Sequence, residues 1–307
     1  MELRHLRYFV AVAEERNFTR AAQRLNIAQP PLSRQIQQLE ETLGVQLLER
    51  NSRPLKLTET GKFFYSHAAQ LLSQTAELES MTKRVGNIER SLSVGFVGST
   101  LYGMLPKIIR RFRDENATVE LSLHEMSTMD QIRALKDGHI DIGFGRIRLE
   151  DANIRRVILR EEKLIVAFPE GHPLSVAKPV VALRDLVNET LIIFPKAPRP
   201  SYADQVLAAF QDRALKPRRI YEVRELQIAL GLVAAGEGIS IVPSSVYGLK
   251  RDDVSYRALD DPTLVSPIIM SMRALDESRD IREMLELIYR LYQEEKIPYA
   301  PHTDPAR

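Results

Sequence analysis

Gln29, Ser33, Arg34 and Gln37 fall on one face of a helical repeat. Their amide, hydroxyl and guanidinium groups are the ones that hydrogen-bond to base edges in a DNA major groove. To do so they must project from the start of a helix, and the sequence provides that start. Pro30 and Pro31 fit an α-helix only in its first turn, where a missing N–H costs nothing, so the helix begins near Gln29. Leu32, Ile36 and Leu39 then face inward. Ahead of them, Phe18, Ala21, Ala22 and Leu25 are spaced by three and four, which predicts a short helix with one apolar face. The two alanines let a second helix cross closely. Residues 17–50 therefore read as a helix-turn-helix, although an ordinary helical hairpin with a solvated face has the same local pattern.

The flanks favour the first reading. Leu3, Leu6, Phe9, Val10 and Ala13 form another helical stripe, completing a three-helix core. Val45 to Arg50 reads as a short strand, Asn51 to Pro54 as a turn and Leu55 to Leu57 as the returning strand. That wing carries Arg50, Arg53 and Lys56 near its tip, where they can meet phosphates or a minor groove. Within residues 1–58 nine basic side chains face six acidic ones, an excess larger than the +2 of the whole chain. The surplus positive charge is thus concentrated in the N-terminal fifth, as binding to a polyanion requires.

A second kind of chemistry is suggested further along. Gly98-Ser99-Thr100, Ser127-Thr128-Met129-Asp130-Gln131 and Pro200-Ser201-Tyr202 each sit where a helix begins. Hydroxyls and free backbone N–H groups at a positive dipole end favour a carboxylate. Thr128 with Gln131 has the spacing of a capping box. Each of the three segments also reads as a plain cap serving only its own helix. Catalysis has little support. Ser99 or Ser201 as nucleophile lacks a histidine base in any recognisable motif, and the chain has no cysteine. The six histidines show no metal-ligand spacing, so neither a metal nor another cofactor is expected. Gly236-Glu237-Gly238 reads as a helix end followed by a tight turn, without a phosphate-loop pattern.

Length and composition allow more than one domain: 307 residues, 44% hydrophobic and 27% charged. Arg4, His5 and Arg7 interrupt the first apolar residues, so the N-terminus does not read as a secretion signal. No run approaches the roughly 18 apolar residues of a membrane span. A cytoplasmic protein is expected. Thr58 can cap a long helix whose stripe of Phe64, Ala68, Leu71, Thr75, Leu78, Met81 and Val85 needs a partner helix in its distal half. Gly86-Asn87 ends it. Beyond Arg90, strands alternate with helices, including Leu92 to Val97, Val119 to Glu125, Ile140 to Phe144, Leu164 to Phe168, Leu191 to Phe194 and Pro267 to Met272. A last helix runs from Asp280 to Glu294. This alternation predicts parallel α/β lobes. The domains read as a DNA-binding domain over 1–58, a linker and dimerisation helix over 59–87, and an effector-binding domain over 91–307.

The motifs Phe18-Thr19-Arg20-Ala21-Ala22, Gln29-Pro30-Pro31-Leu32-Ser33-Arg34-Gln35-Ile36 and Leu57-Thr58-Glu59-Thr60-Gly61 make the chain resemble a LysR-type transcriptional regulator. The resemblance implies a winged helix-turn-helix joined to a two-lobed effector domain of periplasmic-binding-protein type, with lobe I over about 91–160 and 267–295, lobe II over about 161–266, and crossings near Arg160 and Pro267. Gln29, Pro30, Pro31, Ser33 and Arg34 are then expected at the major groove, with Arg50 and Arg53 on the wing. The implied partners are an operator in double-stranded DNA, a second protomer paired through the linker helix (with tetramers built from such pairs) and RNA polymerase. Gly95-Phe96-Val97-Gly98-Ser99, Asp141-Ile142-Gly143-Phe144-Gly145-Arg146 and Leu230 to Ser240 resemble the aromatic-catabolism branch of that family. That branch implies regulation of benzoate and catechol degradation genes, with cis,cis-muconate as first effector and benzoate as a further one. Muconate's carboxylates are expected at Ser99 and Thr128 and at Pro200, Ser201 and Tyr202, where Tyr202 stands in place of a Phe found in parts of the branch. A second, more apolar benzoate site would map to Arg160 and Tyr292, with Arg146 and Glu162 forming an ion pair beside Arg160. A different small acid, an enzyme and a small-molecule carrier on the same scaffold are the rival readings.

Overall fold

Asn17 stops one helix and starts the next: its Oδ1 accepts from the N–H groups of Thr19 at 2.8 Å and Arg20 at 3.1 Å. It thereby separates α1 (Leu3–Glu15) from α2 (Phe18–Arg24). The computed structural model describes residues 1–49, 52, 55–85, 90–249 and 251–299. α3 spans Gln29–Leu43, with both prolines in its first turn, and ends at Gly44, whose φ of 70° suits glycine. Phe9, Val12, Ala21, Ala22, Leu32, Ile36 and Leu39 form the core of these three helices. On α1 the buried face is rotated from expectation. Leu3 is exposed and Val10 half-buried, while His5 and Val12 point inward, because α2 and α3 both cross that side.

The wing strands are shorter than predicted. β1 (Leu48–Glu49) and β2 (Lys56–Leu57) pair antiparallel, Leu48 opposite Leu57 and Glu49 opposite Lys56. Gln46 and Leu47 are taken up by other contacts. Thr58 Oγ1 donates to the Gln46 carbonyl at 2.8 Å and the Thr58 N–H to the Leu47 carbonyl at 3.0 Å. From the other side the buried Glu40 carboxylate accepts the N–H groups of Leu47 at 2.8 Å and Leu48 at 3.1 Å. A carboxylate on the inner face of α3 thus anchors the wing, a role that helical periodicity does not reveal. Arg50 and Arg53 lie outside the described residues.

α4 runs from Glu59 to Val85. Thr58 caps it as expected, its Oγ1 accepting the Gly61 N–H at 2.9 Å. Phe64 turns toward the three-helix core, its ring 5.2 Å from that of Phe9, and Ala68 is buried. Leu71 and Leu78, further along the same stripe, are 47% and 67% exposed. The stripe therefore divides into an inner and an exposed part. The side chains of Met81 and Val85, and the Gly86-Asn87 terminus, lie outside the described residues.

Lys83–Leu135 and the chain from His139 onward form a second unit, Lys136–Gly138 grouping with the first. β3 (Ser91–Phe96), α5 (Leu105–Glu115), β4 (Glu120–Glu125), α6 (Thr128–Lys136) and β5 (Ile142–Gly145) build one lobe, joined by α10 (Arg279–Glu294). β4, β3 and β5 are parallel. β6 (Ile154–Pro169) is a single strand of 16 residues. α7 (Pro173–Ala177), β7 (Val180–Val181), β8 (Thr190–Ile193), α8 (Tyr202–Gln211), β9 (Arg219–Glu222), α9 (Leu226–Ala234), β10 (Ser240–Pro243) and β11 (Val254–Leu259) make the other lobe. β12 (Val265–Arg273) returns to the first.

Neither lobe is purely parallel, contrary to expectation. β12 runs antiparallel to both β5 and β6, and β10 and β11 run antiparallel to β6. The reason is topological: β6 and β12 carry the chain between lobes in opposite directions, so they must oppose each other. β6 pairs with β12 from Ile154 to Lys163, then with β10 from Leu164 onward. Each lobe has its own core. Phe112, Phe144, Met270 and Ile288 belong to one, and Phe168, Leu191, Phe210 and Ile241 to the other.

Candidate functional site

On α3, the predicted DNA-reading residues Gln29, Pro30, Pro31 and Arg34 are exposed and Ser33 is half-buried. Gln37 is also exposed, its Nε2 donating to Glu41 Oε1 at 3.0 Å. The inward face of Leu32, Ile36 and Leu39 is at most 1% exposed. Burial on one side and a free polar N-terminal turn on the other are what a groove-reading helix needs.

In the second unit the three predicted helix starts converge. Ser99, Thr128, Pro200, Ser201 and Tyr202 all line one cavity of about 320 Å³ between the lobes. It lies beyond the carboxyl ends of the parallel strands, where open α/β sheets bind ligands. A fourth helix start, that of α9, also lines it through Arg224, Glu225, Leu226 and Gln227. The sequence carried a signal for this: a strand ending at Glu222 followed at once by a helix, the rule that located the other three.

Glycines bring these pieces close. A Cβ on Gly145 would lie 2.8 Å from Thr128 Oγ1, and one on Gly143 would lie 2.7 Å from Gln131 Oε1. β5 can therefore lie directly against α6. The cap of α6 differs from prediction. Thr128 is already helical, and Ser127 caps instead, accepting the Asp130 N–H at 3.1 Å and donating to Asp130 Oδ2 at 2.7 Å. Gln131 is buried, its Nε2 donating to the carbonyls of Met126 and Phe144, both at 3.1 Å. Thr128 is thereby released from capping, and its Oγ1 receives the Arg146 N–H at 3.4 Å.

Ser201 is the cap of α8. Its N–H donates to Asp204 Oδ2 at 2.7 Å and its Oγ to the Pro195 carbonyl at 3.2 Å. The Tyr202 hydroxyl donates to the Ile241 carbonyl at 3.2 Å, and burial pushes its phenol above the usual range. Both hydroxyls have protein partners, as do the N–H groups of Ser201, Ala203 and Asp204, so what this corner offers a ligand is the positive end of the α8 dipole.

Arg146 forms the expected ion pair with Glu162 beside Arg160, and it also lines the main cavity. Its Nε donates to Ser99 Oγ at 2.8 Å and one terminal nitrogen to Glu162 Oε2 at 2.6 Å. The other, Nη1, is buried without a protein acceptor. Glu162 is paired with Arg160 as well and accepts from Ser245 Oγ at 3.1 Å. Two guanidinium groups thus share one carboxylate, and the cluster holds an uncompensated positive charge next to the cavity. Such a charge is costly without an anion.

Arg160 and Tyr292 do come together, with the guanidinium carbon 5.8 Å from the ring centroid. Burial pushes the Tyr292 phenol up to about 12, against the pull of Arg160. The space between them is about 10 Å³. That is room for about one water molecule in this conformation. Met104, Leu105, Ile108 and Leu159 give the small cavity an apolar lining. Among the described residues no group of three or more His, Cys, Asp or Glu could hold a metal ion. None of the described helices is long and apolar enough to cross a membrane.

Residues 3–62 match the family model described as bacterial regulatory helix-turn-helix protein, lysR family, and residues 86–292 match the LysR substrate binding domain. The chain belongs to the LysR family. This regulator is 49% identical over 303 residues to the HTH-type transcriptional regulator BenM of Acinetobacter baylyi, covering 98% of this chain and 100% of BenM. The solved effector binding domain of BenM with its effector benzoate superposes with a TM-score of 0.66 and 42% identity, covering 69% of this chain and 96% of that one. Full-length CbnR complexed with its target DNA gives a TM-score of 0.61 and 33% identity, covering 94% and 99%. The regulator's fold is therefore a winged helix-turn-helix joined to a two-lobed α/β effector domain. Its relatives are transcription factors, and it is one of them rather than an enzyme.

Proposed function

We propose that this LysR-type regulator controls genes of aromatic-compound degradation in response to a small dicarboxylate, with cis,cis-muconate as the effector. One observation carries the reading: Arg146, whose guanidinium keeps one buried nitrogen without a protein acceptor, lines a cavity whose opposite wall is the N-terminal end of α8. Two anion-favouring ends on different lobes suit a short molecule with a carboxylate at each end. Ser99 and Thr128 flank the first end; Pro200, Ser201 and Tyr202 form the second. Phe194, Pro195 and Pro198 give the wall between them an apolar character fitting a conjugated carbon chain. Benzoate, with one carboxylate and a ring, engages one end only and is the weaker ligand in this reading. BenM's use of benzoate supports the aromatic-acid class. A second, more apolar benzoate site belongs to the same proposal at Arg160 and Tyr292, beside the Arg146–Glu162 pair.

The domain division follows the sequence: residues 1–58 read DNA, 59–87 link and pair protomers, and 91–307 sense the effector. Exposure of Leu71 and Leu78 along α4 supports pairing of this helix with a second copy. Two pairs would make a tetramer, acting on the operator in the cytoplasm and touching RNA polymerase there. The effector binds one lobe angle better than another and so shifts the population of DNA-bound arrangements.

A mobility-shift and footprinting titration of the full chain on its operator tests the effector. Muconate is expected to change the footprint, and an unchanged footprint at saturating muconate rejects it. Ser99→Ala combined with Thr128→Ala is expected to leave operator affinity intact and weaken the muconate response; full response would move the cavity elsewhere. Arg34→Ala is expected to cost roughly 1–3 kcal/mol of operator binding and to relax sequence preference at one position. A binding curve identical to the parent's would remove Arg34 from the reading surface.

A further inference from the structure

We propose that the Tyr102–Gln227 hydrogen bond is a positioning contact that holds the lobes at the angle in which the cavity binds its effector. The inference rests on the cavity being the effector site. Ser99 and Tyr102 share the short 3-10 turn Gly98–Tyr102, so the position of one is linked to that of the other. The Tyr102 side chain leaves its own lobe and packs against the core of the second. There its hydroxyl accepts from Gln227 Nε2 at 2.5 Å. Gln227 lies in the first turn of α9 and lines the cavity; Tyr102 does not line it.

Among the described residues, the other side-chain hydrogen bonds that link the lobes end on β6 or β12. Arg146 with Glu162, Arg148 with Glu161 and Gln205 with Val265 are of that kind. Bonds to the crossing strands remain compatible with a change of lobe angle, because those strands are the hinge itself. A bond from a turn of one lobe to a helix of the other is made only over a narrow range of angles. Tyr102–Gln227 therefore adds its energy to one arrangement alone. In that arrangement Arg146 and the start of α8 line the same cavity. A ligand binding it gains from every contact that already favours it. Partial burial keeps the Tyr102 phenol above its usual range, so the contact persists across physiological pH.

Tyr102→Phe keeps the ring and removes the acceptor without touching the cavity wall. With the full chain, calorimetric titration with muconate is expected to show Kd raised about two- to tenfold, the range of one net hydrogen bond. Gln227→Met, made in both backgrounds, is expected to weaken binding less in Tyr102→Phe than in the parent. A third measurement needs no ligand: amide hydrogen exchange over residues 98–104 and 226–231 is expected to accelerate in Tyr102→Phe. Unchanged exchange, or fully additive losses in the double variant, overturns the proposal. Faster exchange in a protein whose parent form ignores muconate supports the lobe contact and overturns the choice of effector instead.

Discussion

Arg146→Met is expected to abolish the effector response at concentrations that saturate the parent. Muconate Kd should rise by roughly one to two orders of magnitude, the range for losing a charge-assisted hydrogen bond. Methionine keeps most of the side-chain volume, so the change isolates the guanidinium. It also leaves Ser99 Oγ without the donor it has at 2.8 Å and halves the cations around Glu162. Arg160 and Ser245 still hold that carboxylate, which limits the stability loss to about 3 kcal/mol, the low end for a broken buried pair. For a domain of this size that is roughly 6–12 °C in Tm. Calorimetry reads both quantities on one sample. Retained muconate affinity in a folded Arg146→Met protein would show that the unpartnered nitrogen is not the anion site.

Gly61→Ala is expected to unfold the DNA-binding unit well below the parent's melting temperature. An ideal Cβ at this position falls 2.0 Å from the Leu47 carbonyl oxygen, inside any permitted contact. The obstacle is backbone, and it cannot yield. The Leu47 carbonyl accepts from Thr58, and the Leu47 N–H is held by Glu40. Overpacking of this kind costs about 3 kcal/mol or more. In a unit of roughly 80 residues the corresponding drop is more than about 12 °C. Gly44→Ala is the comparison. It places a Cβ at φ 70° with nothing within 4 Å, so it bears only conformational strain, about 1 kcal/mol. Equal losses at the two positions in a calorimetric scan would refute the close-approach argument for Gly61.

These two residues mark different limits of a sequence reading. Gly61 belongs to a run legible as a family motif, but a glycine in the first turn of a helix carries no visible reason. The reason is Leu47, fourteen positions earlier. Arg146 could be placed at the end of a strand, and its pairing with Glu162 could be anticipated. Which cavity its side chain lines depends on how β6 runs.

Local chemistry alone specified the prolines that begin α3, the alanines that let α2 approach it, the Asn17–Phe18 helix start and the Thr58 cap, because each acts within a few residues of itself. It also marked three of the four helix starts around the cavity, since strand-to-helix junctions are written in adjacent residues. It placed no strand at residues 154–163, where charged side chains hide one. Those charges are tolerated on β6 because Arg160, Glu161 and Glu162 meet partners there, and only the folded chain supplies the partners. The same holds for the antiparallel course of β12, the Glu40 anchor of the wing and the narrow cavity at Tyr292. Each is decided by groups far apart in sequence whose hydrogen bonds, charges and volumes must be satisfied together, and tertiary packing is where that is resolved.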